Sequence, residues 1–248
     1  MAYFNSLRVS PIFVLATGAI VASLSLTSCA VTYQFAPIEA WVVDAETGAP
    51  IEGAVITANW ELVKGGFDGP RYFGQLEVKE TVTDKSGRFF FAGFTKNDSS
   101  GAELRESDPQ ILVFKAGYVF QRFTNDYING GAGLTKLERT AAANGKKVAL
   151  RQVSGTVDEI RRSHTALDIR LGFVTRIMPG QREWEKCYWQ EIPRMIKEIR
   201  KHEILMKNRG ANLSSLYGDL IYNNDLYSSQ AKVACVAPKM LLRMDELK

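Results

Sequence analysis

The sequence predicts a mainly β fold, an antiparallel β-sandwich with a helical C-terminal extension. Two changes along the 248 residues support this division. From Tyr33 to about Val153, β-branched and aromatic residues alternate with polar ones, whereas from about Ser154 the apolar residues recur at three- and four-residue steps. The charge changes at the same point, because residues 29–150 carry a net charge of −2 and residues 151–248 a net charge of +5.

The composition excludes several classes of protein. Hydrophobic residues make up 46% of the chain and charged residues 23%, which are globular proportions and exclude disordered and collagen-like chains. Three Cys are too few for a small disulfide-dense domain. The formal net charge of +4 is a weak basic excess, so we expect no nucleic-acid partner.

Individual strands follow from alternation and from turn residues. Ile38–Asp44 alternates and precedes a turn in which Gly48 is free to adopt a positive φ. Residues 51–60 and 111–118 read as further strands, and Lys147–Leu150 is expected to close the sheet.

A hairpin is predicted around residues 84–87, which read Asp-Lys-Ser-Gly. The Asp84 side chain can close such a turn, and Gly87 can take the left-handed conformation that ends it. We expect residues 81–83 and Arg88–Phe91 to be the paired strands, with Phe89 and Phe91 on one face.

Three motifs resemble the carboxypeptidase regulatory-like domain. They are D-x-x-T-G-x-P-I-x-G-A over residues 44–54, T-D-x-x-G-x-F-x-F over residues 83–91, and F-x-A-G-Y over residues 114–118. The resemblance implies a small transthyretin-like β-sandwich over residues 38–153. It gives the chain no peptidase activity, because there is no room for a peptidase domain.

Two segments depart from that family pattern. Residues 61–77 and 124–144 are expected to be insertions. Insertions in a sandwich lie at its ends, where binding loops are found. We therefore expect these two segments to form a recognition surface.

The first 28 residues are typical of a secretory signal peptide. Their only charge is Arg8, and residues 9–24 form an apolar stretch too short to span a membrane readily. Leu26-Thr27-Ser28-Cys29 then resembles the lipobox of bacterial lipoproteins. The alternative is an ordinary signal peptide in which the cysteine is incidental.

The lipobox resemblance implies that cleavage leaves Cys29 as an acylated N-terminus on a lipid bilayer. Two or more acyl chains make a stable anchor. Residues 29–37 are then expected to be a tether. Ala30 stands where an Asp tends to retain lipoproteins in the inner membrane, so the resemblance implies an outer-membrane lipoprotein facing the periplasm of a Gram-negative host.

The C-terminal extension, residues 154–248, is predicted to contain an amphipathic helix. Pro193 either kinks this helix or begins a second one, and Gly210 is suited to end it. Its apolar face comprises Trp184, Cys187, Tyr188, Ile192, Met195, Ile196, Ile199 and Met206.

Cys187 and Cys235 remain once Cys29 is lipidated, and an export signal places them in an oxidising compartment. We expect a disulfide between them, which would stabilise the chain by about 4 kcal/mol in the chain-entropy model. Two free buried thiols or a metal-binding pair are the alternatives.

No pattern supports catalysis, a metal or a cofactor. His202-Glu203 begins like the zinc-peptidase H-E-x-x-H, but position 206 is Met. His164 has only Asp168 as an obvious neighbour. Residues 130–136 lack the Gly-Lys-Ser/Thr of a phosphate loop. We therefore expect no enzyme.

The sequence favours a non-catalytic, membrane-tethered envelope lipoprotein that acts as a binding or scaffolding module. Two alternatives stay open. One is a carbohydrate- or peptidoglycan-binding accessory module, with aromatic residues as a stacking surface, namely Trp41, Trp60, Tyr72 and Phe73. The other is a structural lipoprotein of a secretion apparatus with a dedicated protein partner. Basic residues 194–209 either face anionic lipid or form a solvated face paired with Glu198 and Glu203.

Overall fold

The computed structural model describes residues 30–124, 138–139, 141–175 and 191–213. This part of the chain contains eleven strands and two helices. The strands are β1 (Val31–Phe35), β2 (Ile38–Asp44), β3 (Val55–Lys64), β4 (Arg71–Val82), β5 (Arg88–Phe91), β6 (Phe94–Asp98), β7 (Glu103–Leu104), β8 (Gln110–Phe114), β9 (Gln121–Phe123), β10 (Glu138–Arg139) and β11 (Lys147–Leu150). The helices are α1 (Val157–Thr175) and α2 (Pro193–Asn208).

Within the described residues the strands form three sheets. Their orders are β4-β3-β8-β9, with β7 also beside β3, then β11-β2-β5 and β10-β1-β6. All pairings are antiparallel except β11 with β2 and β10 with β1, which are parallel. The predicted mainly β sandwich with a helical extension is confirmed.

The main core lies between the β4-β3-β8-β9 sheet and the sheets that contain β1 and β2. Alternate residues of β2 are buried, as its sequence pattern predicts. Phe89 and Phe91 of β5 are buried while Phe90 is exposed, which confirms their shared face. The largest ring in this core is Trp60, which contacts Phe94 edge-on at 5.0 Å between ring centres.

The two helices cover the other face of the β4-β3-β8-β9 sheet. On the sheet side this layer contains Val55, Val78, Leu112 and Phe114, and on the helix side Leu167, Leu171, Met195, Ile196 and Ile199. As a result nine of the ten residues of β3 are buried. Each large apolar side chain buried in such a layer stabilises the fold by about 1.5–3 kcal/mol.

The predicted hairpin around residues 84–87 is wrong in its pairing. The turn forms, since Asp84 accepts hydrogen bonds from the backbone N–H groups of Ser86 and Arg88, and Gly87 has a φ of 75°. However, β4 pairs with β3 and β5 pairs with β2, so the turn carries the chain from one sheet to the other. Local sequence determines the turn, whereas the sandwich core determines the strand partners.

Most of the segment predicted to be an insertion, residues 61–77, is strand rather than loop. Strands β3 and β4 continue through this segment as one long hairpin, with Lys64 opposite Arg71. Only residues 65–70 form the connecting turn. The second predicted insertion, residues 124–144, lies largely outside the described residues; its described part includes β10.

The predicted tether over residues 29–37 is also wrong in extent. Val31–Phe35 is strand β1, hydrogen-bonded between β6 and β10. Phe35 is buried and its ring stacks on Phe94 with centres 4.5 Å apart. The strand is held because this aromatic pair fills one end of the main core.

The described part of the predicted apolar helix face is confirmed. Ile192, Met195, Ile196, Ile199 and Met206 are all buried. Pro193 begins α2, and Gly210, with a φ of 82°, follows its end. Trp184, Cys187 and Tyr188 lie outside the described residues.

We predict that Gly87→Ala destabilises the protein by about 2–4 kcal/mol. A Cβ at this position would collide with the carbonyl oxygen of Val42, and the φ of 75° adds strain. The measurement is urea unfolding. Gly48→Ala is the matched control, because Gly48 has a similar φ of 70° but no atom within 4 Å of the added Cβ. Equal losses in the two variants would contradict the predicted collision.

Candidate functional site

All three cysteines lie outside the described residues. Acylation of Cys29 and the Cys187–Cys235 disulfide therefore stay predictions. Ala30, the first described residue, is exposed, and β1 follows at once. Among the helices of the described residues, none is long and apolar enough to span a membrane.

The N-terminal end of β1 lies at the same end of the sandwich as the β3–β4 turn. Lys79 Nζ lies 3.8 Å from the centre of the Phe94 ring, and Lys96 Nζ lies 2.6 Å from a Glu77 carboxylate oxygen. Lys96 follows Phe94 in β6, whereas Glu77 precedes Lys79 in β4 and so lies nearer the β3–β4 turn. Strand β6 therefore runs from Phe94 toward that turn. Because β6 and β1 are antiparallel, with Val31 opposite the last residue of β6, β1 begins at this end.

Residues 65–70, which we call the hairpin tip, close in a tight turn. Gly66 and Gly69 exchange two backbone hydrogen bonds, of 3.0 and 3.1 Å. Phe67 and Asp68 are the two residues between them. Gly69 has a φ of 112°, a conformation that favours glycine. The Phe67 side chain is fully exposed at the apex, at 110% of its reference area.

The three motifs of the family resemblance meet through structural hydrogen bonds. Tyr118 of the third motif donates its hydroxyl to Asp44 of the first motif at 3.0 Å. Thr83 of the second motif donates to the carbonyl of Ile51 at 2.6 Å and accepts from the N–H of Ala54 at 2.8 Å. These residues connect the ends of strands and hold the sandwich together.

Asp44 is ionised through this network. Its carboxylate accepts a hydrogen bond from the backbone N–H of Thr47, which outweighs burial and holds its pKa far below the usual range. Bonds from the Glu46 N–H, Gln152 and Tyr118 act in the same direction. The first motif therefore places a structural anion at a turn, in the manner of an Asx turn.

A buried polar cluster joins α2 to the turn after β8. Glu198 accepts from the N–H of Ala116 at 3.0 Å, and His202 Nδ1 accepts from the N–H of Gly117 at 3.1 Å. Both side chains are nearly inaccessible to solvent. They replace water as partners for the backbone N–H groups of the F-x-A-G-Y motif.

Charged and aromatic groups surround this cluster. The rings of His164 and His202 are stacked with centres 6.0 Å apart, and His164 Nε2 lies 4.0 Å from a Glu203 oxygen. Lys201 and Lys115 reach Glu198 at 2.8 and 3.7 Å. Within the described part of the chain, no group of three or more His, Cys, Asp or Glu side chains is arranged to hold a metal.

His202 is neutral in this environment. Burial lowers its pKa to about 4, and the neighbouring His164 acts in the same direction, while Glu198 opposes the shift. The ring can therefore accept from Gly117 throughout the neutral range. This arrangement suits a structural contact between helix and sheet.

Glu80 of β4 caps the N-terminus of α2. Its carboxylate accepts from the N–H of Arg194 at 3.0 Å and from that of Met195 at 2.7 Å. The helix has no side-chain cap of its own, because Ile192 occupies the N-cap position. Burial nevertheless raises the pKa of Glu80 to about 7, against the effect of the two hydrogen bonds. A shallow groove of about 570 Å³ borders this contact.

A second buried polar group lies at the base of the long hairpin. Glu61 forms an ion pair with Arg105 at 2.7 Å, and its backbone N–H donates to the fully buried Asp108. Asn59 donates to Glu61 at 3.2 Å. These contacts give partners to Glu61 and to the amide nitrogen of Asn59, both of which lie on the helix-facing side of β3.

The aromatic residues predicted as a sugar-stacking surface and the basic residues predicted to face lipid or solvent lie in different environments. Trp60 is 1% exposed and belongs to the main core, so it cannot join Trp41, Tyr72 and Phe73 in a sugar-stacking surface. On α2, Arg200 pairs with Glu203 and Lys201 with Glu198. The predicted ion-pair partners are therefore present, but Glu198 and Glu203 are buried, so these carboxylates do not belong to a solvated face.

Sequence reasoning missed two residues. The capping role of Glu80 carries no local signal, because its partners are more than a hundred residues away in the chain. The exposure of Phe67 has a signal: an aromatic residue stands in the run Gly-Gly-Phe-Asp-Gly-Pro, where neighbouring side chains offer nothing to pack against.

No protein-family model matches the chain, and no curated protein matches it. Solved structures give distant matches. A streptococcal ancillary pilin is 17% identical with a TM-score of 0.24, covering 48% of this chain and 30% of the pilin. The C-terminal domain of the shaft pilin SpaA from Lactobacillus rhamnosus GG is 16% identical with a TM-score of 0.22, covering 50% of this chain and 99% of that domain.

A 9R-lipoxygenase from Cyanothece is 13% identical with a TM-score of 0.22, covering 71% of this chain and 25% of the enzyme. The chain thus spans less than a third of the ancillary pilin and of the lipoxygenase.

We predict that Glu80→Gln flattens the stability profile between pH 5 and pH 8. The pKa of Glu80 is raised in the fold, so its contribution is fully present below about pH 4.5 and is lost as the pH rises through about 7. The wild type should lose about 2 kcal/mol over this range from Glu80 alone. Gln keeps a carbonyl acceptor for α2 without the charge. Chemical unfolding at each pH gives the comparison, and an unchanged profile in the variant would contradict the assignment.

We predict that His202→Asn reduces the loss of stability in acid. The pKa of His202 is lowered in the fold, so its contribution is present above about pH 6.5 and is lost as the pH falls through about 4. The expected loss from this residue is about 2–3 kcal/mol between pH 7 and pH 4.5. The Asn carbonyl can still accept from Gly117. Thermal unfolding across this range, with His164→Asn as a comparison, measures the difference; a steep acid loss retained in His202→Asn would count against it.

Proposed function

We propose that this chain is a non-catalytic envelope lipoprotein. It is attached to a membrane through acylated Cys29, and its sandwich acts as a binding or scaffolding module. The observation that supports this most directly is the position of β1. Only Ala30 separates the predicted acylation site from the first strand, so the sandwich is attached almost directly to the anchor.

The buried polar groups favour a structural role over a reactive centre, because their hydrogen bonds connect parts of the fold. Asp44 and Thr83 join the sandwich turns, while Glu80, Glu198 and His202 attach α2 to the sheet. Each accepts or donates within the fold. The residues shared with the carboxypeptidase regulatory-like pattern therefore stabilise the fold. This suits a module that binds a partner through its surface.

We favour an envelope protein over a glycan as the partner. Of the four aromatic residues predicted to form a glycan-binding surface, Trp60 is buried in the core and cannot contact a glycan. A sandwich presents turns and strand edges to a protein partner instead. A structural role in a secretion apparatus is one form of this proposal.

We predict that Cys29→Ser releases the protein from membranes into the periplasmic fraction. A serine hydroxyl cannot carry the thioether-linked lipid. The experiment compares the wild type, Cys29→Ser and the control Ala30→Ser, each with a C-terminal tag, by membrane fractionation and by mass measurement of the N-terminal peptide. Membrane association unchanged in Cys29→Ser would contradict the anchor.

The same strains test the scaffolding role by cross-linking in intact envelopes. One reproducible protein partner, captured with the wild type and depleted with Cys29→Ser, is the expected result. Recovery of lipid and cell-wall fragments alone would contradict a scaffold and favour the glycan-binding alternative.

A further inference from the structure

We propose that the hairpin tip, with Phe67 at its apex, inserts into the interfacial layer of the bilayer that holds the acyl chains of Cys29. This inference rests on the proposed lipid anchor and adds a second, non-covalent membrane contact to it. The partner that the exposed tip contacts is thus phospholipid.

The position of the tip supports a membrane contact. Cys29 precedes Val31 by two residues, so the chain places it within about 7 Å of the start of β1. That start lies at the hairpin-tip end of the sandwich, as the contacts of Lys79 and Lys96 show. An anchor at this end turns the hairpin tip toward the bilayer surface.

The chemistry of the apex fits an interface between water and lipid. Phe67 is 110% exposed, so its ring packs on none of the described residues. Val31, 39% exposed, is a second apolar side chain at the same end. Aromatic rings are favoured at the headgroup level of membranes, where an apolar ring leaves water without losing hydrogen bonds.

The charges around the apex fit the same surface. Asp68, the acidic residue of the tip, is paired with Arg71 at 2.7 Å. Lys64 stands opposite Arg71 at the base of the turn, and its ammonium group lies 3.8 Å from the centre of the Phe73 ring. Lys64 and Arg71 flank the tip, so cations that can contact phosphate headgroups stand on both sides of Phe67, while Glu103 lies opposite Val63 just below it.

Strand pairing holds the hairpin tip in place. The β3–β4 ladder runs to the Lys64–Arg71 pair, and β7 pairs with β3 at Leu62 and Val63, just below the tip. Leu62 is 1% exposed and Val63 8%. The paired strands and the buried residues below them hold the tip at the end of the hairpin, with Phe67 exposed.

Photo-cross-linking in native envelopes tests this contact. A photoreactive phenylalanine analogue replaces Phe67 in the full-length chain, and in a control strain it replaces Phe90, a 44% exposed residue on the side of the sandwich in β5. After irradiation, mass spectrometry distinguishes phospholipid adducts from protein adducts. We expect about tenfold more phospholipid adduct at position 67 than at position 90. Phe67→Ser, which removes an exposed side chain, should leave the melting temperature unchanged.

Each other outcome overturns the inference in a distinguishable way. Equal lipid adducts at the two positions, or only protein adducts at position 67, would overturn the tip contact while an acylated Cys29 peptide in the membrane fraction leaves the anchor standing. Absence of the acylated peptide and of the protein from the membrane fraction would overturn both.

Discussion

The central constraint in this molecule is the burial of β3 on both faces. The strand needs one cover from the sandwich and another from the helices, and neither cover alone would remove its side chains from water. Its helix-facing side is not wholly apolar, since it includes Asn59 and Glu61, which bond to each other, and Glu61 also pairs with Arg105. The described helices α1 and α2 are therefore part of the folded core rather than an appendage.

The attachment of α2 depends on groups with opposite responses to pH. Protonation of Glu80 favours the folded state, whereas protonation of His202 opposes it. The two groups act at different ends of the same helix, one at its capped N-terminus and one beside the β8 turn. Between about pH 4.5 and pH 6.5 the contribution of Glu80 falls while that of His202 rises, so the two pH dependences largely cancel.

Local patterns in the sequence predicted local structure well. The alternation of Ile38–Asp44, the Asp84–Gly87 turn and the buried side of α2 need only a few neighbouring residues to specify them. Strand partners could not be found this way, because the choice of β2 as the partner of β5 is made by the packing of Phe89 and Phe91 in the core. The strands within residues 61–77 could not be found this way either, because Glu61 and Glu77 at the two ends of the segment pair with the distant Arg105 and Lys96.

The residues of the candidate site also differ in whether local sequence could identify them. The motifs shared with the carboxypeptidase regulatory-like pattern identified Asp44, Thr83 and Tyr118, whose contacts follow from turn chemistry. Glu80 could not be identified, since its role exists only once β4 and α2 are adjacent. The position of Phe67 relative to the anchor likewise depends on the direction of β1 within the sandwich, which pairing with β6 determines.

The pairing of β1 has a mechanical consequence. A pull applied to the chain before Val31 acts along the strand axis, while the hydrogen bonds to β6 lie roughly perpendicular to it. When the opposing force acts at the far end of the sandwich, such a pull shears the ladder, so its bonds resist together instead of opening one after another. The stacked rings of Phe35 and Phe94 stand at the far end of the strand and must also separate. A pull of this kind is therefore opposed by both the ladder and the aromatic pair.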